Sequence, residues 1–272
     1  MFITPPKGYM LQENNNVFIL LREDLPAEFV DISLNIIKNS VSEQLTLLNH
    51  GRSGVFLFHS KENIQALFKL YTHGGNFSNF FSKFYFMTNR FLHEYYLYID
   101  KLRNNIPVPD YLGGFWIKKY GLYKCGIITK YIPYAITLEE FLNSDSFLLS
   151  KKQEILNQCG SVIKKMHDIG ILHNDLQLRN ILIDTDSNSI FLIDFDKAKF
   201  KTNLNNFYRS QNLLRLKRSF IKRDIDLNLF NLLLSGYGIS NLSIFARLFA
   251  YPHLKWVKLK KYLSLTQTPK SV

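Results

Sequence analysis

The chain has little cysteine: two residues in 272, Cys125 and Cys159. That is too few for a disulfide framework or a four-ligand zinc site, and the sequence reads as intracellular and reducing. It has no uninterrupted apolar run near the roughly 18 residues of a membrane-spanning helix. Its opening, MFITPPKGYMLQENNN, carries two prolines, a lysine and three asparagines where an export signal would have its apolar core, so export is not expected. Helix-turn-helix, zinc-knuckle and RNA-recognition signatures are missing too, which leaves nucleic acid a minor alternative as a partner. No internal repeat or low-complexity tract occurs.

What is present is a chain 46% hydrophobic and 21% charged, the composition of a folded protein. Its 34 Lys and Arg against 22 Asp and Glu leave a net charge of +12. Such a balance draws polyanions, whether nucleic acid, an anionic membrane surface or a phosphorylated substrate. Most of the phenylalanines lie in apolar runs such as 77–86, which suit a core better than a base-stacking platform.

Periodicity divides the chain. Asp24–Asn39 reads as an amphipathic helix, with Phe29, Ile32, Ile36 and Ile37 on one face. Short β-type runs follow over 54–58 and 64–71, then a helical stretch over 78–102. After Pro107 and Pro109 come strands over 114–118 and 124–131 around a turn at 119–121. Beyond Pro133 the texture becomes helical. Thr137 and Glu140 have capping-box spacing, and a longer helix spans 150–168, with Ile155, Val162, Ile163 and Met166 on one face. Two short strands, 181–183 and 190–193, flank a polar turn, and the remainder reads as helices. A strand-rich first half and a helix-rich second half, joined near residue 132, predict two lobes and a ligand cleft between them.

The chemistry is concentrated in His173-Asn-Asp-Leu-Gln-Leu-Arg-Asn180 and in Ile193-Asp-Phe-Asp196. Asp175 and Asn180 share a loop after a long helix, and Asp194 ends the hairpin that follows. A carboxylate with a carboxamide is a hard-oxygen set suited to Mg²⁺, and a further carboxylate can take a proton from a hydroxyl nucleophile. Those are the parts that phosphoryl transfer from a nucleotide requires.

H-x-D-L-x-x-x-N, a hairpin and D-F-x resemble the protein-kinase catalytic core. H-N-D and D-F-D, in place of H-R-D and D-F-G, are closer to kinases of small molecules and lipids. The likeness extends through GRSGVFLF, LFKLYTHGG, RFLHEYYLYIDKL, IPVPDYLGG, GIITKYIPYAITL and NLLRLKRSFIK, covering about residues 50–225. This ordered series resembles the lipopolysaccharide-core kinase family, most closely its members acting on 3-deoxy-D-manno-octulosonic acid (Kdo).

The resemblance implies an α+β, protein-kinase-like two-lobed fold. An extension would cover 1–45, a small β-rich N-lobe 46–132 and a mainly helical C-lobe 133–272. It implies Asp175 as catalytic base, Asn180 and Asp194 as Mg²⁺ ligands, and ATP as phosphoryl donor. Lys69 would touch the α- and β-phosphates with Glu94 as its ion-pair partner, although Arg90 and Lys101 are alternative partners for Glu94 on the helix. Gly51 and Gly54 would bring backbone over the phosphates, and backbone groups of Lys130 and Ile132 would bond the adenine. His173 reads as a structural member of the loop, and Asp196 as either a metal ligand or an acceptor for loop donors.

Three departures stand out. Gly51-Arg-Ser-Gly54 is not the full G-x-G-x-x-G. Gln177 replaces the lysine common two residues after the catalytic Asp in protein kinases, so γ-phosphate charge must be met otherwise. No A-P-E follows Asp196, which argues against a protein substrate.

The implied acceptor is a Kdo hydroxyl, at position 4, on a lipid A precursor. A heptose kinase of the same family and a non-catalytic kinase-fold binding module are the alternatives. Nine Lys and Arg and no Asp or Glu between Lys197 and Arg223, with Leu213, Leu216, Phe220 and Ile221 at helical spacing, read by themselves as an amphipathic helix with a solvated basic face. The lipid A acceptor that the resemblance implies adds the expectation of peripheral attachment to the anionic cytoplasmic face of the inner membrane. The oligomeric state stays open.

Overall fold

The computed structural model describes residues 4–38, 44–49, 54–71, 85–86, 90–120, 122–240 and 242. The chain divides into two units, Met1–Asp100 with Pro109–Ile132, and Lys101–Val108 with Pro133–Val272.

Unit 1 contains β1 (Tyr9–Asn14), β2 (Val17–Arg22), helix α1 (Glu28–Lys38), β3 (Leu45–Asn49), β4 (Val55–His59), β5 (Gln65–Leu70) and β6 (Tyr85–Phe86). Helix α2 (Arg90–Leu97), continued by a π-helical turn over Tyr98–Leu102 whose last two residues belong to unit 2, then β7 (Tyr111–Lys119) and β8 (Leu122–Lys130), complete it. The strands form one antiparallel sheet in the order β1-β2-β7-β8-β5-β4-β3, with β6 added against β8. Residues 9–38, within the 1–45 extension that the resemblance implies, supply two strands and a helix to this unit.

Strand alternation builds its two faces. Phe58, Ala66, Phe68, Phe115 and Ile128 turn toward Phe29, Ile32, Ile36 and Ile37 of α1 in a single core. The Phe29 and Phe58 rings meet edge to face at 5.1 Å. Leu67 and Lys69 then project to the opposite side of β5. That side of the sheet receives α2, where the Phe91 ring lies 5.8 Å from Trp116. Gly114 makes room for this contact, since a Cβ there would sit 2.2 Å from the Phe91 ring. Buried Lys124 donates from Nζ to the carbonyls of Ile36 and Ile37, satisfying the end of α1 with a cation where the helix dipole is negative.

Unit 2 contains β9 (Ala135–Thr137), α3 (Leu138–Asn143), α4 (Leu149–Asp168), β10 (Ile171–Leu172), a 3-10 turn (Leu178–Asn180), β11 (Ile181–Asp184), β12 (Ile190–Leu192), β13 (Lys199–Phe200), α5 (Asn206–Lys222) and α6 (Leu227–Tyr237). Thr137 and Glu140 form the expected capping box. β9, β11 and β12 make a three-stranded sheet, and β10 pairs with β13.

Two expectations need correction. The helical stretch predicted over 78–102 contains a strand: Tyr85 and Phe86 pair with Tyr123 and Leu122, and the helix starts at Arg90. A neighbouring strand supplies the backbone ladder bonds, which local periodicity cannot register; residues 78–84 and 87–89 of that stretch lie outside the described residues. The region after 193, read as helical throughout, opens with the short strand β13 for the same reason.

Glycines set the approach of α4 and α6. A Cβ on Gly160 would lie 2.1 Å from the Leu233 carbonyl, and one on Gly236 would lie 2.1 Å from the Asn157 carbonyl. This contact brings Tyr237 to His167, where a 2.8 Å hydrogen bond joins its hydroxyl to Nδ1. On the other side, His167 Nε2 lies 3.0 Å from Asn212 Oδ1, which also accepts from the His173 N–H at 3.4 Å. An amide oxygen only accepts, so Nε2 carries the His167 proton and Nδ1 accepts from Tyr237. Burial holds His167 neutral, with its pKa lowered to about 4. The chain entering the loop after β10 is thus fastened to three helices.

Two outcomes are expected. Gly160→Ala should lower stability by about 3 kcal/mol or more in urea unfolding, because the clash is with backbone that cannot rotate away. As pH falls below about 6.5, the unfolded chain takes up the His167 proton before the folded one does, so stability drops until the folded pKa is passed. From pH 7 to pH 5 this group should account for a loss on the order of 2 kcal/mol. His167→Gln should flatten that part of the pH profile followed by circular dichroism.

Candidate active site

The loop after β10 is organised around a buried histidine. His173 is fully buried, and its Nε2 donates to the Ile193 carbonyl at 3.0 Å. Nδ1 is therefore the accepting nitrogen, and the Asp175 N–H points to it at 3.3 Å while also donating to the His173 carbonyl at 2.8 Å. Burial lowers the His173 pKa, opposed by its bond to Ile193 and by the nearby charges of Asp194 and Asp175. A neutral, doubly bonded imidazole is a brace rather than a proton carrier.

Asn180 ends the 3-10 turn and is buried. Its Nδ2 donates to the Asp175 carbonyl at 2.9 Å, and its own carbonyl accepts from the Ile193 N–H at 3.1 Å. With the amide nitrogen turned to the loop, Asn180 Oδ1 is the atom that carries its remaining lone pairs. Ile193 is thus bonded on both sides, to Asn180 through its N–H and to His173 through its carbonyl. The next residue, Asp194, takes a left-handed backbone (φ 70°), leaving the strand at once. Phe195 is buried against the His173 ring, centroids 4.7 Å apart. Three segments predicted from sequence, carrying Asp175, Asn180 and Asp194, are joined by these bonds. Asp196, also singled out, is buried just beyond.

Asp175 has a cationic partner that the sequence analysis did not assign. Lys197 Nζ lies 3.0 Å from its Oδ2.

The donor set fits magnesium chemically. One carboxylate and one carboxamide oxygen beside a further carboxylate are hard ligands for a cation that keeps much of its water. Among the described residues, no group of three or more His, Cys, Asp or Glu side chains could hold a metal ion.

Unit 1 carries the other predicted residues. Lys69 pairs with Ile127 across the sheet, and its ammonium lies 6.0 Å from the centre of the Tyr71 ring. Glu94 on α2 is buried, 3% exposed, and both of its oxygens accept from tyrosines: Oε2 from Tyr71 at 2.5 Å and Oε1 from Tyr111 at 2.6 Å. Burial and the Glu94 charge together raise the Tyr71 pKa well above its ordinary value, so this phenol stays a donor. The Tyr9 hydroxyl bonds the Tyr111 carbonyl at 2.7 Å, so the first strand of the chain supports this cluster.

Gly54 lies just before β4, its carbonyl accepting from the Leu70 N–H at 3.3 Å. The Lys130 N–H donates to the Asp110 carbonyl at 2.8 Å, which leaves its carbonyl as the hinge group to consider. Ile132 closes unit 1 and is half-buried. Gly51 lies outside the described residues.

Tyr71, Tyr111, His167, Asn212 and Lys197 are the residues that sequence reasoning missed. A polar side chain on the apolar face of a helix, as with His167 and Asn212, was the one available signal.

The profile of the "Lipopolysaccharide kinase (Kdo/WaaP) family" matches residues 42–237. A "3-deoxy-D-manno-octulosonic acid kinase" of Vibrio cholerae serotype O1 is 32% identical over 177 residues, spanning 62% of this chain and 71% of the relative. That of Vibrio vulnificus (strain CMCP6) is 29% identical over 194 residues, spanning 68% and 79%. A solved structure, "WaaP in complex with acyl carrier protein", aligns with a TM-score of 0.50 over 87% of this chain and 96% of that chain. At 14% identity it speaks to the fold alone, an α+β kinase-like one. With a profile match over most of its length and an intact H-x-D-L-x-x-x-N and D-F-D series, the chain belongs to the lipopolysaccharide kinase (Kdo/WaaP) family and is a phosphotransferase acting on a hydroxyl group.

Proposed function

We propose that this chain is an ATP-dependent Kdo kinase that phosphorylates a hydroxyl, the one at position 4, of Kdo on a lipid A precursor. The observation that carries the reading is the bonded junction of the Asp175 loop, Asn180 and the strand end before Asp194. The Kdo kinases among the relatives support the choice of acceptor.

Asp175 accepts the proton of the acceptor hydroxyl as that oxygen bonds to the γ-phosphorus. The bond from the γ-phosphorus to the bridging oxygen breaks, and its electron pair leaves with ADP. His173, neutral and fixed as one tautomer, holds the base in place without exchanging a proton. Asn180 and Asp194 are the residues that would hold magnesium, which supplies positive charge beside the phosphate oxygens. Lys69 serves the α- and β-phosphates, with Glu94 and its two tyrosines behind it. The backbone at Gly54 would cover the phosphates, and the Lys130 carbonyl and Ile132 backbone would meet the adenine.

Attachment to the inner-membrane surface rests on a smaller basic face than the sequence suggests. Of the nine Lys and Arg between 197 and 223, five have internal partners: Lys197 with Asp175, Lys201 with Tyr208, Arg209 with Asp168, Lys217 with Phe230 and Arg223 with Glu139. Arg215, Arg218 and Lys222, at helical spacing on α5, are the group that would face anionic lipid. No described helix is long and apolar enough to cross a membrane.

Incubation with ATP, Mg²⁺ and a Kdo-bearing lipid A precursor should yield a monophosphorylated product by mass spectrometry, and Asp175→Asn should lower kcat about 10³-fold. Phosphorylation of a heptose-bearing core instead would move the assignment to a heptose kinase, and no turnover on either would favour a binding module. Arg215→Glu with Lys222→Glu should release the protein from anionic vesicles at low salt in co-sedimentation. A wild-type protein that stays in the supernatant would end the membrane reading.

A further inference from the structure

We propose that Lys197 is a further catalytic residue, whose ammonium group bridges the Asp175 carboxylate and the transferring phosphoryl group. The inference rests on Asp175 as the base. It answers a specific gap: Gln177 stands where protein kinases commonly carry a lysine that meets γ-phosphate charge, and a glutamine supplies none.

The chain puts Lys197 in that place by a different route. Asn174, which occupies the position of the arginine in H-R-D, has a left-handed backbone (φ 59°) that asparagine tolerates. Its Nδ2 donates to the Lys197 carbonyl at 2.9 Å. The Ala198 N–H donates to the Phe195 carbonyl at 2.9 Å, closing a turn whose first and last residues are buried. Lys197 leaves this turn with its backbone tied to the catalytic loop and its ammonium 3.0 Å from Asp175 Oδ2.

The side chain itself is 59% exposed, so the pair adds little to folding. Its placement is explained better by a ligand. An ammonium group has three donors, so one can remain on Asp175 while another reaches a phosphoryl oxygen. Three carboxylates, Asp175, Asp194 and Asp196, lie on the segments that would meet a polyphosphate, and Lys197, the residue directly after the last of them, is the cation paired with the first. In the transfer, Lys197 forms and breaks no covalent bond. It donates hydrogen bonds to the equatorial oxygens while the hydroxyl proton passes to Asp175.

The test compares Lys197→Met, Lys197→Arg and the neighbouring Lys199→Met, assayed for Kdo phosphorylation and, without acceptor, for Mg²⁺-dependent ATP hydrolysis. Lys197→Met should lose about 100-fold in kcat while its KM for ATP and its ATP-induced rise in Tm stay within about threefold and a degree of wild type. Lys197→Arg should retain more activity, Lys199→Met all of it, and Gln177→Lys added to Lys197→Met should restore at least about tenfold. A kcat within about twofold of wild type, or a loss confined to nucleotide affinity or Tm, would overturn the proposal. A wild-type chain that hydrolyses ATP but leaves the Kdo acceptor untouched would refute only the acceptor assignment, and Lys197 would be judged on hydrolysis. A chain with neither activity would overturn both.

Discussion

The Ile193 peptide is held from both directions: its N–H by the Asn180 carbonyl at 3.1 Å, its carbonyl by His173 Nε2 at 3.0 Å. Because His173 is fully buried, its imidazole cannot exchange these partners for water, and burial keeps it neutral. The Asp175 N–H on its other nitrogen then sets the start of the loop. Two side chains of one loop, Asp175 and Asn180, and a third beyond the hairpin, Asp194, acquire a common frame from these few bonds. Loss of either ring bond would leave a buried polar atom unsatisfied, which costs about 1–3 kcal/mol, more than such a bond contributes when made.

That frame is supported from behind by helix packing. Gly160 and Gly236 let α4 and α6 approach at backbone distance, so Tyr237 reaches His167 and His167 reaches Asn212. Asn212 Oδ1 accepts from the imidazole and from the His173 N–H together. Each member has one arrangement of donors and acceptors that satisfies all of them, which is how a buried polar chain specifies one geometry. Unit 1 uses a comparable device at Glu94, whose two oxygens accept from Tyr71 and Tyr111 while Tyr9 bonds the Tyr111 backbone.

Much of this was legible residue by residue. The apolar faces of α1 and α4, the capping box at Thr137 and the hairpin of β11 and β12 follow local periods and caps, and the structure has them. Asp175, Asn180 and Asp194 were legible because their spacing survives as a motif. β6 was not, because two aromatic residues in a longer apolar run become a strand only through the partner beside them. Lys130 is proposed as a hinge position from the resemblance, and the structure adds that its N–H is taken by the Asp110 carbonyl, a cross-strand bond that no local pattern records.

The sequence by itself determined which chemical groups the protein carries, the order in which they come, and the helical and strand periods that bury one face of each element. Those are properties of neighbours a few residues apart, governed by side-chain spacing and backbone preference. Only the tertiary structure decided which buried polar atoms satisfy one another: His167 with Asn212, His173 with Ile193, Glu94 with two tyrosines, and Lys197 with Asp175. A hydrogen bond depends on distance and direction to within a fraction of an ångström. Residues 17 to 45 positions apart meet that condition only once packing has brought their elements together.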